Sequence, residues 1–267
     1  MTELSKIAQA AQYLAQCYEA RESMDILLQD FAPTTIADAY KVQDAFLNIL
    51  GKSRGAIGGY KVAYTSDEMR RLRGISSPCA GGMFARTIQS SPATFRSAEY
   101  VSLAIECEVA VRLGANVPAA KAPYTRQSIA EYIEFLAPAF EMVDFRGSAA
   151  GTGPDALAIA GICTNIANAG AVVGAAVSHW RGIDLAAAHS TMRINGEQVG
   201  QGRGADVMGH PLEPLVWLAN LLAERGKALQ AGMTVITGSI ITPKPVKAGD
   251  TATIAIDGLG AAQVTVS

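Results

Sequence analysis

The sequence predicts an α+β protein with a helical N-terminal portion and a β-rich body. In the first 50 residues apolar side chains recur at helical spacing, as Leu4, Ile7 and Leu14 do. From "AIGGYKVAYTS" onward, short runs rich in Val, Ile and Thr alternate with Gly, Pro and Ser turns, which is typical of strands. Neither an internal repeat nor a low-complexity linker separates the two regions. We therefore expect a helical portion over 1–55 and a mainly antiparallel or mixed β body over 56–267 that work as one unit.

Two helices are predicted in the N-terminal portion. The first is amphipathic and covers roughly 3–20. The second begins after Thr35, whose hydroxyl can cap it, and has Asp38 in its first turn, where a carboxylate is favourable. We expect it to reach about Leu50 and to stop at Gly51. Further along the chain, two more helices are predicted at 126–135 and 213–225.

The strands of the β body are predicted from β-branched runs between turn residues. Seven such runs lie at 56–63, 100–112, 137–144, 171–178, 190–194, 232–237 and 250–257. Asn195 and Gly196 follow the fifth run and favour a type I′ turn, which predicts a hairpin at that point.

Composition and charge exclude several classes of function. Hydrophobic residues make up 49% of the 267 positions, enough for a large core, and the net charge of -2 without a Lys/Arg-rich run argues against nucleic-acid binding. No run of about 18 apolar residues predicts a membrane span. The N-terminus does not resemble a secretory signal. The four cysteines form no CxxC pair, so we expect reduced thiols in a cytoplasmic protein.

The predicted strand "SLAIECEVAVRL" contains two carboxylates in an apolar run. Glu106 and Glu108 are two residues apart, so both point to one face of the strand, beside the small Ala104 and Ala110. One interpretation is a half-exposed strand whose acidic face meets water. The other is a site for a hard divalent cation, Mg²⁺ or Mn²⁺, which prefers carboxylate oxygens. No His lies nearby in the sequence, which argues against zinc.

A third carboxylate lies in a similarly apolar setting. Glu141 occurs in "PAFEMVDF", 33 residues after Glu108, which leaves room for a connecting helix and a neighbouring strand. Three carboxylates of this kind can hold one metal ion and leave positions open for a substrate.

Lys61 lies inside the strand-like segment "GAIGGYKVAYTS". It is either a surface lysine with its stem along the protein or a partly buried ammonium beside the acidic site. In the second case it would balance the carboxylates and bind an anionic substrate or move a proton. A Schiff base is a further role for a buried lysine, but a chelated 2-oxo acid would make it unnecessary.

Several blocks of the sequence resemble a known family. The blocks "GGYKVAYTS", "AIECEVAVRL", "PAFEMVDFR", "GHPLEPLVWLANLLAERG" and "AGMTVITGSIITPKPVKAGD" occur in this order, and the likeness extends from about residue 34 to the C-terminus. Together they resemble the 2-keto-4-pentenoate hydratase / 4-oxalocrotonate decarboxylase group of the fumarylacetoacetate hydrolase-like superfamily. The resemblance implies a mixed β-roll or barrel body with a helical N-terminal portion. It also places Glu106, Glu108 and Glu141 on the family's Mg²⁺ or Mn²⁺ ligands and Lys61 on its active-site lysine.

The resemblance further implies a metal-dependent lyase of aromatic meta-cleavage catabolism. Its substrate would be a small 2-oxo or 2-hydroxy-dienoic acid, which chelates the metal through its carboxylate and its 2-oxygen. The cation would stabilise the enolate that forms as the tautomers interconvert. In hydratases water then adds to the conjugated double bond, whereas in decarboxylases the same electron sink accepts the carbanion left by CO₂.

The sequence departs from the family at the position linked to water activation. Hydratases of this group typically have Glu-Pro-Asp-[Tyr/Phe]-Gly after the lysine strand, whereas this chain reads "SSPCAGG", with Cys79 at the Asp position. Cys79 is therefore either an acid or base or a packed thiol. In the family's Ala-Asp-Asn-Ala-Ser block Asn165 is kept and Thr164 replaces Asp. In "TGSIITP", the resemblance places Ser239 and Thr242 in a loop that can reach the substrate carboxylate.

Three functions stay open from the sequence. The first is a 2-hydroxypenta-2,4-dienoate hydratase, and the second is a 4-oxalocrotonate-type decarboxylase on the same metal site. The third is a non-catalytic partner subunit, since family hydratases and decarboxylases can associate and Cys79 alters the water-activating segment. By resemblance we also expect a homo-oligomer.

Overall fold

The structure is a computed structural model that describes residues 3–147 and 155–267. Six α-helices occur in these ranges: α1 Glu3–Ala20, α2 Ile36–Arg54, α3 Asp67–Arg73, α4 Arg126–Ile129, α5 Ala156–Cys163 and α6 Glu213–Glu224. The strands are β1 Ile57–Ala63, β2 Cys79–Phe84, β3 Ile88–Ser90, β4 Ala93–Phe95, β5 Leu103–Leu113, β6 Ile133–Asp144, β7 Asn168–Val173, β8 His189–Ile194, β9 Glu197–Arg203, β10 Thr234–Ile236, β11 Ile241–Pro245, β12 Thr251–Ile256 and β13 Gly260–Val266. Among the helices so described, none is long and apolar enough to cross a membrane.

The strands form two mixed sheets. The larger sheet has the order β2-β1-β10-β5-β6-β7-β3, and β11 pairs with β5 beyond the end of β10. The smaller sheet has the order β4-β13-β12-β8-β9 and packs on the larger one through β6. Three pairs are parallel, β1–β10, β3–β7 and β4–β13, and the others are antiparallel. Neither sheet closes into a barrel within the described strands, and the predicted mixed α+β architecture is confirmed.

The two N-terminal helices are confirmed, with one correction. Thr35 caps α2 by accepting a hydrogen bond from the backbone N–H of Asp38. The helix does not stop at Gly51, however, and ends only at Gly55, whose φ of +85° suits glycine. A glycine inside a helix weakens it but does not end it while the flanking residues stay packed, as the buried Leu47 and Leu50 are here.

The predicted helix at 126–135 is wrong in its second half. Only α4, followed by a 3₁₀ turn at Ala130–Tyr132, is helical, and β6 begins at Ile133. Ile133 and Phe135 pair with Leu113 and Arg112 of β5, so sheet pairing outweighs the local preference for helix.

Strand β6 continues through Pro138, which carries no N–H to donate. Its partner in β5 is Val109, whose carbonyl accepts a hydrogen bond from Thr237 N at 3.1 Å instead of from β6. The Pro138 carbonyl accepts one from Gly174 N at 2.8 Å. Val109 and Pro138 therefore form a non-hydrogen-bonded pair, and the β5–β6 ladder loses nothing at the proline.

Several short elements were not predicted from the sequence. Helix α3 buries no side chain and so has no apolar stripe, whereas α5, "ALAIAGIC", is apolar on all sides. Strands β2, β3, β4, β9 and β11 are short, glycine-rich or edge strands, whereas β13 lies inside the smaller sheet and alternates in burial. The hairpin at Asn195 and Gly196 is confirmed: both have positive φ, 53° and 85°, and they join β8 to β9.

Strands β1 and β10 approach so closely that Gly59 tolerates no side chain. A Cβ at Gly59 would lie 1.8 Å from the carbonyl oxygen of Thr234, and backbone atoms of a parallel pair cannot move aside independently. We expect Gly59→Ala to lower the free energy of unfolding by more than about 3 kcal/mol, measured by thermal or urea unfolding. The control is Gly182→Ala, where no atom lies within 4 Å of the added methyl. Equal stabilities of the two variants would contradict the close approach.

Candidate metal centre and active site

The three predicted carboxylates meet on one face of two adjacent strands. Glu106 of β5 lies directly opposite Glu141 of β6, and Glu108 follows two residues along β5 on the same face. One carboxylate oxygen from each lies within 4.8 Å of the others. Glu108 and Glu141 are fully buried, so the acidic face is not the solvated strand face that the sequence also allowed.

The face that bears the glutamates continues into small apolar residues. Ala110, Ala137 and Ala139 lie beside them in the β5–β6 pair and pack within the larger sheet together with Met83 and Ile236. The opposite face of β5 packs in the main core instead. These alanines are fully buried and do not line the cavity, so this side of the carboxylates is closed by packed apolar residues.

Backbone and amide donors orient two of the carboxylates. Glu108 Oε2 accepts a hydrogen bond from Gly238 N at 2.6 Å, and Glu141 Oε1 accepts one from Asn168 Nδ2 at 2.9 Å. Glu108 Oε1 is buried and has no hydrogen-bond partner among the described residues. A buried carboxylate oxygen without a donor is costly, which indicates that a cation belongs beside it.

Lys61 is the positive group of the cluster. Its side chain is 3% exposed, and its Nζ lies 3.0 Å from Glu141 Oε2. Through β10 and β5, Lys61 is in register with Ala137, four residues before Glu141, so in a flat sheet the Lys61 and Glu141 Cα atoms would lie roughly 20 Å apart. The ion pair therefore requires the sheet to curl, which brings the two strands to face each other across the site.

Burial and mutual repulsion alter the protonation of these groups. Desolvation, with a contribution from the charge of Glu141, raises the pKa of Glu106 to about 7, although Lys61 opposes the rise. The pKa of Glu108 is raised well above its ordinary value by desolvation and by both other carboxylates. Desolvation alone would lower the pKa of Lys61, but the glutamates, Glu141 first, raise it on balance, so the lysine stays charged.

The donor set fits a hard divalent cation. Three carboxylates and one ammonium leave an excess of negative charge in the protein interior, which a divalent ion would neutralise. The groups in the cluster offer oxygen ligands without His or Cys, the type that Mg²⁺ prefers.

A cavity of about 730 Å³ opens above the cluster. Lys61 and Glu106 line its inner end, and the predicted residues Ser239 and Thr242 line its wall. The Ser239 hydroxyl donates to the Ile241 carbonyl at 2.5 Å, which fixes this part of the loop. The volume is within the range of small-molecule sites.

Asn165 and Cys79 do not line this cavity. The Asn165 amide holds Gly82 of β2 from both sides: it donates to Gly82 O and accepts from Gly82 N, each at 2.8 Å. Asn165 and the next two residues all have left-handed backbone, and this turn presents Ile166 to the cavity. Cys79 is buried at the start of β2, and burial raises the pKa of its thiol to about 12.

Two groups that hold the site were not predicted from the sequence. Asn168 begins β7 and Gly238 lies in the "TGSIITP" loop, yet neither is near a glutamate in the chain. The loop was predicted through its hydroxyls, whereas a backbone N–H makes the contact with Glu108. Sequence alternation predicts which face a strand residue points to, but not which loop reaches it.

The chain is similar in sequence to a known protein family and to characterised members of it. The family model for the C-terminal part of fumarylacetoacetate hydrolase matches residues 84–267. A 2-hydroxyhexa-2,4-dienoate hydratase from Comamonas testosteroni is 27% identical over 267 residues, covering 99% of this chain and 98% of the relative. A 2-keto-4-pentenoate hydratase from Burkholderia vietnamiensis is 30% identical, covering 85% of this chain and 84% of the relative.

A solved structure is similar over the whole length. The 4-oxalocrotonate decarboxylase of Pseudomonas putida G7, complexed with magnesium and adipate, matches with a TM-score of 0.89 and 27% identity. The match covers 100% of this chain and 99% of that one. The helical N-terminal portion is therefore part of the shared fold.

Metal affinity should depend on pH in a defined direction. An ion that binds Glu106 and Glu108 must displace protons from carboxyls whose pKa values are raised. We expect Mg²⁺ affinity to weaken by about tenfold per pH unit below about pH 7 for each proton displaced, measured by calorimetry between pH 6 and 8. Glu134→Gln, at an exposed position on β6, is the control and should leave the dependence unchanged. If the Mg²⁺ affinity did not change between pH 6 and 8, the assignment would be contradicted.

Proposed function

Because this chain belongs to the fumarylacetoacetate hydrolase family, we propose that it is a divalent-metal-dependent lyase for a small 2-oxo or 2-hydroxy-dienoic acid. Within that class we propose the hydration of 2-hydroxypenta-2,4-dienoate in aromatic meta-cleavage catabolism. The observation that carries the proposal is the buried triad Glu106, Glu108 and Glu141 beside Lys61 at the inner end of a substrate-sized cavity. Relatives named as hydratases that align with most of this chain support it.

In the proposed mechanism the triad holds Mg²⁺ or Mn²⁺. The bound ion would supply a Lewis acid for the 2-oxo acid head of the substrate. Lys61 keeps its proton and adds positive charge at the inner end of the cavity, where it attracts the substrate carboxylate. Glu141 accepts a hydrogen bond from Asn168 and forms an ion pair with Lys61, so it fixes the position of the Lys61 ammonium.

Three further residues complete the proposed site. Ser239 and Thr242 lie on the cavity wall, so we assign them to binding the substrate carboxylate, Thr242 through its hydroxyl and Ser239 through its backbone N–H, since the Ser239 hydroxyl donates to Ile241. Asn165 contributes through the backbone that it holds, since its amide is engaged by Gly82. The left-handed turn that it begins shapes the wall at Ile166.

The second candidate function is a 4-oxalocrotonate-type decarboxylase. Its support is the full-length likeness to the decarboxylase of Pseudomonas putida G7. In addition, Arg73 on α3 lines the cavity from an exposed position, where it suits a second carboxylate. Arg146 also lines the cavity, but its guanidinium already donates to Asp144 and to the Tyr18 carbonyl.

We also propose a cytoplasmic location and self-association. The four cysteines are unpaired and buried, which supports a reducing compartment. Support for a homo-oligomer, or for association with a related hydratase or decarboxylase, comes from the family resemblance. Light scattering on the purified chain, alone and with such a partner, tests both forms of association.

Turnover assays separate the two candidate activities. We expect loss of the dienol absorbance of 2-hydroxypenta-2,4-dienoate with formation of a 4-hydroxy-2-oxo acid, and little CO₂ from 4-oxalocrotonate.

Treatment with EDTA should abolish activity and Mg²⁺ should restore it. Glu108→Gln should lower kcat by at least about a hundredfold because a charged ligand is lost, whereas the exposed Glu134→Gln should not. Undiminished turnover by the EDTA-treated protein would contradict the proposal.

The role of Cys79 has its own test. The thiol is buried outside the cavity, so Cys79→Ala should keep kcat within about threefold and cost about 1 kcal/mol of stability. Cys163→Ala, at a second buried thiol, is the matched control. A fall in kcat of more than about a hundredfold in Cys79→Ala alone would make the thiol catalytic. If the native chain is inert and Cys79→Asp gains hydration activity, the non-catalytic partner function is supported instead.

A further inference from the structure

Hydration requires groups that take a proton from water and give one to carbon, and the position that the family resemblance links to water activation holds Cys79. The Cys79 thiol is buried at the start of β2 and does not line the cavity. A proton donor must therefore come from another group that faces the bound substrate. The cavity wall provides one at the end of β1.

The backbone at Tyr64 directs its side chain into the cavity. Lys61 and Ala63 belong to β1 and line the cavity, so the next residue of a regular strand would point to the opposite face. Tyr64 instead has φ +56°, a left-handed conformation that is rare for a bulky side chain, and it too lines the cavity. The Arg70 guanidinium donates to the Tyr64 carbonyl at 2.6 Å and holds this conformation. Strained backbone of this kind concentrates at functional sites.

The Tyr64 ring is held in place by packing, whereas its hydroxyl has no hydrogen-bond partner among the described residues. The hydroxyl packs against α5 at Gly161, where an added Cβ would lie 3.4 Å from it. No protein atom in the described ranges forms a hydrogen bond with the Tyr64 hydroxyl, although its ring is half-buried. Because Tyr64 lines the cavity, its hydroxyl is available to a ligand there.

We infer that the Tyr64 hydroxyl contacts the bound 2-oxo acid and donates the proton that C3 takes up during hydration. This inference rests on the proposed function. The dienol first ketonises: its 2-hydroxyl loses a proton, C5 gains one from solvent, and the remaining double bond moves to C3–C4. The oxygen of water then forms a bond to C4, and the electron pair of the C3–C4 double bond moves onto the conjugated 2-oxo group. The pair then returns to form the C3–H bond with the phenolic proton, and the phenolate takes the proton that the water releases. The sum is one water molecule added across one double bond, with the enzyme unchanged.

The surroundings of Tyr64 suit a donor. Burial is the largest cause that raises the pKa of Tyr64, and the Cys79 thiol is the second. The charges of Lys61 and Arg73 lower it, but the net shift is upward, so the hydroxyl keeps its proton at neutral pH. These charges act on the hydroxyl from the metal-site side and from α3. They would also stabilise the phenolate for the moment before it is reprotonated.

The other hydroxyls on the cavity wall are poorer candidates. Ser66 caps α3 through Met69 N, the Thr164 hydroxyl donates to Ala160 O, and the Ser239 hydroxyl donates to Ile241 O. Thr65 and Thr242 are aliphatic alcohols, which are far weaker acids than a phenol. Lys61 is bound to Glu141.

The test compares Tyr64→Phe with Tyr60→Phe in the Mg²⁺-loaded protein. Tyr60 lies on β1, is half-buried and does not line the cavity. We expect Tyr64→Phe to lower kcat for 2-hydroxypenta-2,4-dienoate by about a hundredfold or more, with KM and Mg²⁺ affinity within about threefold. Circular dichroism and thermal unfolding check that both variants fold. Tyr60→Phe should keep the kcat of the native chain.

A second measurement reports the proton transfer itself. In D₂O the native enzyme should place deuterium at C3 of the product in one configuration, visible by proton NMR beside the C4 stereocentre. Residual turnover by Tyr64→Phe should give both configurations, because solvent then supplies the proton. If the native chain hydrates the dienol and Tyr64→Phe does so equally fast with one configuration, the inference is overturned. If the native chain hydrates nothing, the proposed function fails first.

Discussion

Three carboxylates gathered in the protein interior, with one lysine to oppose them, are the constraint around which the larger sheet is built. Two of the glutamates face each other across the β5–β6 ladder, so the register of that pair cannot slip by one residue without turning the cluster to the main core. The lysine reaches them only because the sheet curls between β1 and β6. The opposite charges of the glutamates and Lys61, the register of β5 and β6, and the curvature of the larger sheet therefore depend on one another.

The same requirement accounts for the loops that close the site. The backbone N–H of Gly238 and the amide of Asn168 come from chain segments far from the glutamates, and each satisfies one carboxylate oxygen. The loop after β10 also caps the β5 edge between the regions that pair with β10 and β11. The proline in β6 is tolerated because its partner carbonyl faces that loop.

The sequence predicts those features that depend on residues close together in the chain. The i, i+2 spacing of Glu106 and Glu108 predicted their common face, and the helical spacing of apolar residues predicted α1 and α2. Helix α5 was missed because an apolar stretch without a polar face has no period, and the start of β6 was missed because only pairing with β5 makes it a strand. The donors to the carboxylates and the left-handed turns at Tyr64 and Asn165 depend on tertiary contacts that no local pattern contains.

The cavity and the acidic cluster come from different parts of the fold. The glutamates stand on the central strands β5 and β6, whereas most of the wall comes from α3, α5 and the loops beside them, including the exposed Met69 and Leu72. Substitutions in this wall leave the central ladder untouched. Selection can therefore change which small molecule the cavity accepts while the acidic cluster is inherited intact, so one scaffold can diversify in specificity without rebuilding its core.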